Sequence, residues 1–205
     1  MKSEEETDSA KGRRKRSEDR LAEIVRLAEQ QILETGSTAI SINAVSEAAG
    51  ASRTLVYAYF SERDDLIEAV LALNLERLAE MGIEAASTKG DVNRRATECG
   101  MIYLRHVALY GPVLHFILRE MQTTPASVSV VFRRLAATAR RDLLLPPHEA
   151  MALVEILTAI PEELGRMVRG GELELQSAES VCERLLLSGV DSLRPSKQVP
   201  PSIAG

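Results

Sequence analysis

The segment Ile42–Phe60 constrains this chain more than any other. Ile42, Val45 and Ala49 recur at helical spacing, Gly50 interrupts the pattern, and Ser52 opens a second short run through Val56 and Phe60. Ser41 and Ser52 stand where N-caps belong, and Gly50 supplies a turn residue that reaches positive φ at little steric cost. Two short helices meeting at such a turn form a helix-turn-helix, which places its second helix in a DNA major groove.

The flanking sequence extends this unit. Leu21, Ile24, Val25, Ala28, Ile32 and Leu33 predict a first helix over 18–35, stopped by Gly36. Helices follow over 42–49 and 53–59, and small residues Ala44, Ala48 and Ala49 suit close helix approach. Ser61 with Asp64 reads as a capping box opening a long helix over 62–85. Helical periodicity continues at 91–109, 112–121, 125–144, 148–169 and 177–193, and no stretch alternates at period two. The fold class is therefore all-α: an N-terminal three-helix DNA-binding domain over 18–62 and a larger helical domain over 63–194. Residues 1–17 and 195–205 read as a disordered arm and tail.

Composition sets the outer limits. The net charge of −5 is unusual for a nucleic-acid binder, but it is unevenly spread. Residues 1–10 carry a net −3, residues 11–63 a net +2, and the remainder a net −4. The arm contains Arg13-Arg14-Lys15-Arg16, a run that either follows phosphates and enters a minor groove or is simply solvated. No apolar run approaches the roughly 20 residues of a membrane span. No secretory signal is visible, and two cysteines in separate predicted helices make no disulfide framework, so a cytoplasmic location is expected. His106 and His115 lack a nucleophile, a metal-ligand cluster or a phosphate-binding loop beside them. That argues against an enzyme, a metal site or a cofactor.

Taken together, these features resemble the tetracycline-repressor (TetR) family of bacterial transcriptional regulators. The resemblance runs from Ile24 to Leu71 through Gly36, Ser41, the Val45–Gly50 helix and turn, Ser52-Arg53, Tyr57-x-Tyr59-Phe60 and Ser61-x-Arg63-Asp64-Asp65-Leu66. Val56 stands where Leu is usual in the family, and Arg63 where Lys is common. Beyond residue 90 the likeness is architectural.

Within a recognition helix the N-terminal residues and one exposed face meet base edges, so Arg53 and Thr54 are the candidate readers. Tyr57 and Tyr59 either reach DNA or pack within the motif, and Phe60 is core. Ser41, Asn43, Ser52 and Arg63 are candidates for holding the phosphate backbone, with Arg13, Arg14 and Arg16 supporting them from the arm.

The resemblance further implies a homodimer on a near-palindromic double-stranded operator, paired through helices near 148–169 and 177–193. It also implies a small-molecule effector held by the middle helices. Candidate ligand contacts are Tyr103, His106, Val107, Tyr110, His115, Phe116, Met121 and Phe132, each of which is equally readable as core. The expected function is a regulator, usually a repressor, relieved by that effector. The alternative is an accessory or nucleoid-type DNA-binding protein without effector control.

Overall fold

The computed structural model describes residues 2–121 and 125–195, with side chains described from residue 19 onward. Ten α-helices and no strand occur among the described residues: α1 (Lys2–Thr35), α2 (Ile42–Ala48), α3 (Arg53–Tyr59), α4 (Arg63–Glu80), α5 (Ile83–Ala86), α6 (Val92–Tyr110), α7 (Val113–Glu120), α8 (Ala126–Leu143), α9 (Pro147–Arg169) and α10 (Leu175–Asp191). The all-α expectation is met.

Besides shifts of one or two residues at helix ends, three features differ from the sequence reading. α1 begins at Lys2, so the segment expected as a disordered arm has helical backbone. An apolar stripe is not a condition for helix, and Glu, Lys, Arg and Ala, which dominate residues 2–17, are all strong helix formers. The expected helix over 62–85 is broken at Met81–Gly82, where φ of Gly82 is +91°. The apolar pattern runs on through Ile83 and conceals that break. The carboxylate that caps the start of α4 is also one residue later than expected. Asp65 Oδ2 accepts from the Glu62 N–H at 3.0 Å, in place of a Ser61–Asp64 pair. The tail after Pro195 lies outside the described residues.

The described residues divide into two compact units. One lies within Met1–Arg77 and Pro112–Gln122, the other within Leu78–Gly111 and Thr123–Gly205.

In the first unit α1 packs on α2 and α7, and α2 packs on α3. Ile24, Ala28, Ile32, Val45, Val56, Leu66 and Val70 are fully or almost fully buried there. At roughly 1.5–3 kcal/mol for each large aliphatic side chain, this small core holds three short helices that could not persist alone. A polar cluster ties α4 to α1: Arg77 Nη1 and Asn74 Nδ2 donate to Glu29 Oε1 at 2.6 and 2.7 Å. Both charged partners of this pair are nearly buried.

In the second unit α6 packs against α8, α9 and α10. Leu104, Leu164, Ala178, Cys182 and Leu186 form one apolar cluster, and Val92, Ala139, Leu143, Ala150, Leu153 and Val190 belong to another. A Cβ on Gly165 would lie 2.8 Å from the Leu104 carbonyl oxygen, so the α6–α9 crossing has no room for a larger residue there. α9 runs unbroken through the buried Pro161. Cys99 and Cys182 are free and buried, and burial pushes both thiols up to about 12, which leaves them protonated and inert. Among the described residues no single helix is long and apolar enough to cross a membrane.

Candidate nucleic-acid interface

The site is built on α2 and α3. Ser41 caps α2, its hydroxyl accepting from the Ala44 N–H at 3.4 Å, and Ser52 caps α3 by accepting from the Leu55 N–H at 3.2 Å. Each cap contributes about 1 kcal/mol to a helix of only two turns. Gly50, at φ +57°, turns the chain between them, and the Ala51 N–H closes the turn on the Ser46 carbonyl at 3.0 Å. Ile42, Val45, Ala49, Val56 and Phe60 face inward as expected. Ser46 is also buried, its hydroxyl donating back to the Ile42 carbonyl, whereas Ala48 is exposed and takes no part in the close approach.

The outward residues leave a polar face. Ser41, Asn43, Ser52, Arg53, Thr54, Tyr57 and Arg63 are exposed, and Tyr59 is half-buried. Tyr57, 49% exposed, stands one turn beyond Arg53 and Thr54. Both arginines of this face are engaged with nearby acids. Arg53 Nη2 lies 3.8 Å from Glu47 Oε1, and Arg63 donates through Nε and Nη2 to Asp64 Oδ1 at 3.2 and 3.1 Å. Exposed pairs of this kind contribute roughly 0–1 kcal/mol, so each guanidinium is readily surrendered to a phosphate or a base. The side chains of Arg13, Arg14 and Arg16 lie outside the described residues.

Several supporting residues escaped the sequence reading. Gln31 of α1 accepts the Ser41 N–H at 3.0 Å, and Arg20 donates to the Ala49 carbonyl at 3.3 Å. Glu120 of α7 accepts both the N–H and the hydroxyl of Thr38. Glu47 is the fourth. No local pattern marks such partners, because each pairing depends on how separate helices come together, over six residues for Glu47 and over 82 for Glu120.

The candidate effector residues are divided between the units. Tyr103, His106, Val107, Tyr110 and Phe132 lie in the second, and His115, Phe116 and Met121 in the first. Along one face of α6, the fully buried His106 ring lies 6.3 Å from that of Tyr103 and 5.2 Å from that of Tyr110. Tyr103 donates its hydroxyl to Glu162 Oε2 at 2.9 Å. Burial, reinforced by the Glu162 charge, pushes that hydroxyl well above the ordinary tyrosine range. Val107 is fully buried at the α6–α9 crossing, and Phe132 packs against the Val92–Leu143–Val190 cluster. The His115 ring packs edge-on to Phe116. No group of three or more His, Cys, Asp or Glu is placed to hold a metal among the described residues.

Comparison with known proteins agrees with this geometry. Residues 24–70 match the family described as bacterial regulatory proteins, tetR family. A TetR-like transcriptional regulator from Rhodococcus sp. RHA1 superimposes with a TM-score of 0.64 at 21% identity, over 84% of this chain and 96% of that one. A second regulator from Rhodococcus gives 0.57 at 21% identity, over 85% and 98%. A TetR variant from Acinetobacter baumannii AYE, in complex with minocycline, gives 0.53 at 14% identity, over 82% and 93%. No match is found among curated proteins. Residues 24–70 thus match the tetR family of bacterial regulatory proteins, and the chain as a whole shares its fold with TetR-like regulators.

Proposed function

We propose that this DNA-binding regulator is a homodimeric repressor that reads a near-palindromic operator and releases it when a small molecule binds. The observation that carries the reading is the exposed edge of α3. Arg53, Thr54 and Tyr57 project from a helix whose other side is locked into the core by Val56. Arg53 takes a guanine bidentately and Thr54 meets a thymine methyl, while Tyr57 and Tyr59 contact the backbone or a base edge. Ser41, Asn43, Ser52 and Arg63 hold phosphates, and Arg13, Arg14 and Arg16 extend the contact from the arm. Residues 18–62 thus carry DNA reading, and residues 63–194 carry effector binding and dimerisation.

Dimerisation is supported by apolar side chains left in solvent on α9, on α10 and just after it. Ile156, Val181, Leu185 and Leu193 are 66%, 37%, 48% and 41% exposed, and a two-fold interface along these helices would bury them. The effector reading rests on the Tyr103–His106–Tyr110 face of α6, with His106 buried between two half-buried tyrosines, and the minocycline complex of the Acinetobacter relative supports it. An effector acts by binding the operator-incompetent state more tightly than the competent one.

The test is fluorescence anisotropy with DNA from immediately upstream of the chain's own gene, against a scrambled duplex, over a salt series. Selective binding with a steep log–log salt slope supports the repressor reading. Equal binding to both duplexes favours a general DNA-binding accessory role.

A further inference from the structure

We propose that Glu120, at the C-terminal end of α7, is a positioning residue for DNA reading: it fixes the turn between α1 and α2, and so sets where α2 and α3 present Arg53 and Tyr57. The inference rests on the operator-reading function proposed above and adds a residue outside the helix-turn-helix to it.

Glu120 Oε2 accepts two bonds from one residue, the N–H of Thr38 at 3.2 Å and the Thr38 hydroxyl. Thr38 is buried although it stands in a loop, so its N–H has few other partners available. One turn earlier on the same face of α7, the Phe116 ring covers Gly36, 3.8 Å from where a Cβ would stand. Arg119 adds a long contact, 3.5 Å, to the Gly36 carbonyl. The Thr38 hydroxyl, foremost among several donors, holds the Glu120 carboxyl below the usual range, so the acceptor stays charged at neutral pH.

The turn is therefore pinned along its length. Gly36 is tied to α1 through its N–H on the Ile32 carbonyl, Thr38 to α7, and the Ser41 N–H to Gln31. Ser41 is the cap of α2, so a turn loosened at Thr38 lets α2 and α3 shift together without melting either. A merely solubilising carboxylate would need neither the paired bonds to Thr38 nor the ring over Gly36. α7 also follows α6 directly through Gly111–Pro112, which gives the end of α6 a covalent route to this turn.

The experiment compares Glu120→Ala with Glu120→Gln in the full chain. Both remove the same negative charge, so electrostatic effects on DNA cancel between them. Only Gln keeps a carbonyl oxygen able to accept both Thr38 donors. The probe is a duplex enriched by the wild-type chain from a random-sequence pool, with a scrambled duplex as reference.

Glu120→Ala is expected to bind the enriched duplex about tenfold more weakly than Glu120→Gln, with equal binding to the scrambled one. Amide exchange over residues 38–49 is expected to quicken in Glu120→Ala alone, with helicity unchanged by circular dichroism. Equal operator binding by the two variants overturns the proposal, whatever the exchange shows. A wild-type chain that enriches no duplex refutes the operator reading instead. Exchange alone then judges the clamp, and equal exchange in the two variants overturns it.

Discussion

The guanidinium of Arg53 lies 3.8 Å from the carboxylate of Glu47, across the Gly50 turn. The residue proposed above to read a base is thus paired, in the free protein, with an acid of the preceding helix. If Arg53 reads a base as proposed, DNA binding must exchange that partner for a base edge, with Glu47 as a nearby negative charge. Glu47→Gln is expected to tighten binding to any duplex about two- to fivefold at low salt, the size of one exposed pair. The gain should shrink as salt rises. Unchanged affinity at low salt would show that the pair places no hold on Arg53.

Arg53 and Arg63 should fail in different ways. Arg53→Ala is expected to lose about 1–3 kcal/mol of discrimination between operator and scrambled DNA, since the proposed reading gives it a base contact. Arg63, at the first position of α4, should lower affinity for both duplexes alike and reduce the log–log salt slope by about one. Salt titrations of both variants on both duplexes separate the roles. Equal losses on the two duplexes for Arg53→Ala would remove it from base reading.

The Glu29–Arg77 pair is more costly to break than any exposed pair described above. Glu29→Ala leaves the Arg77 charge and the Asn74 amide near the α1–α4 contact without their shared acceptor. A loss of about 2–4 kcal/mol is expected, and Glu29→Gln should lose less because it keeps an acceptor oxygen. Urea midpoints of the two variants decide the matter. A Glu29→Ala midpoint within error of wild type contradicts the burial argument.

Gly165 tests the α6–α9 crossing. A Cβ there would lie 2.7 Å from Val107 Cβ and 2.8 Å from the Leu104 carbonyl oxygen. The second clash is with backbone, which no rotamer relieves, so α9 must move. Gly165→Ala is expected to cost about 1–3 kcal/mol, read as a fall in Tm, and Val107→Ala in the same chain should not restore it. Alanine keeps the Val107 Cβ, so full rescue would place the clash on Val107 Cγ1, 3.0 Å away, and not on the Cβ or the backbone oxygen.

Leu144, which ends α8, adopts φ +59° with its side chain 74% exposed. The left-handed conformation strains a residue bearing a Cβ, and little packing offsets it here. Leu144→Gly should raise stability by about 0.5–1 kcal/mol despite the greater freedom it gives the unfolded chain. A thermal melt showing a lower midpoint would mean that the leucine packs better than its exposure suggests.

What was legible beforehand follows the range of the interactions. Ser41, Gly50 and Ser52 act on neighbours within four residues, so caps, turn and inward face could be read from spacing. The long helices of the second unit were legible because Pro and Gly punctuate them. The Thr38–Glu120 bond spans 82 residues and the Glu29–Asn74 bond 45, and neither leaves a local trace. The break at Gly82 stayed hidden because apolar residues flank it on both sides. Helix in residues 2–17 was missed because apolar periodicity reports what a helix buries, not whether it forms. The division of the effector candidates between two units was equally invisible, since adjacency in sequence across Gly111–Pro112 suggested a single cluster.

The first unit is not a continuous stretch of chain. Its last helix, α7, is separated from Arg77 by the whole of Leu78–Gly111, which belongs elsewhere. A ribosome therefore releases the helix-turn-helix well before the segment that covers Gly36 and grips Thr38. The DNA-reading end of the nascent chain waits, uncovered, until α5, α6 and α7 have emerged. A fragment ending at Arg77 would stay in that unfinished condition, and the turn leading into α2 would lack the contacts that fix it.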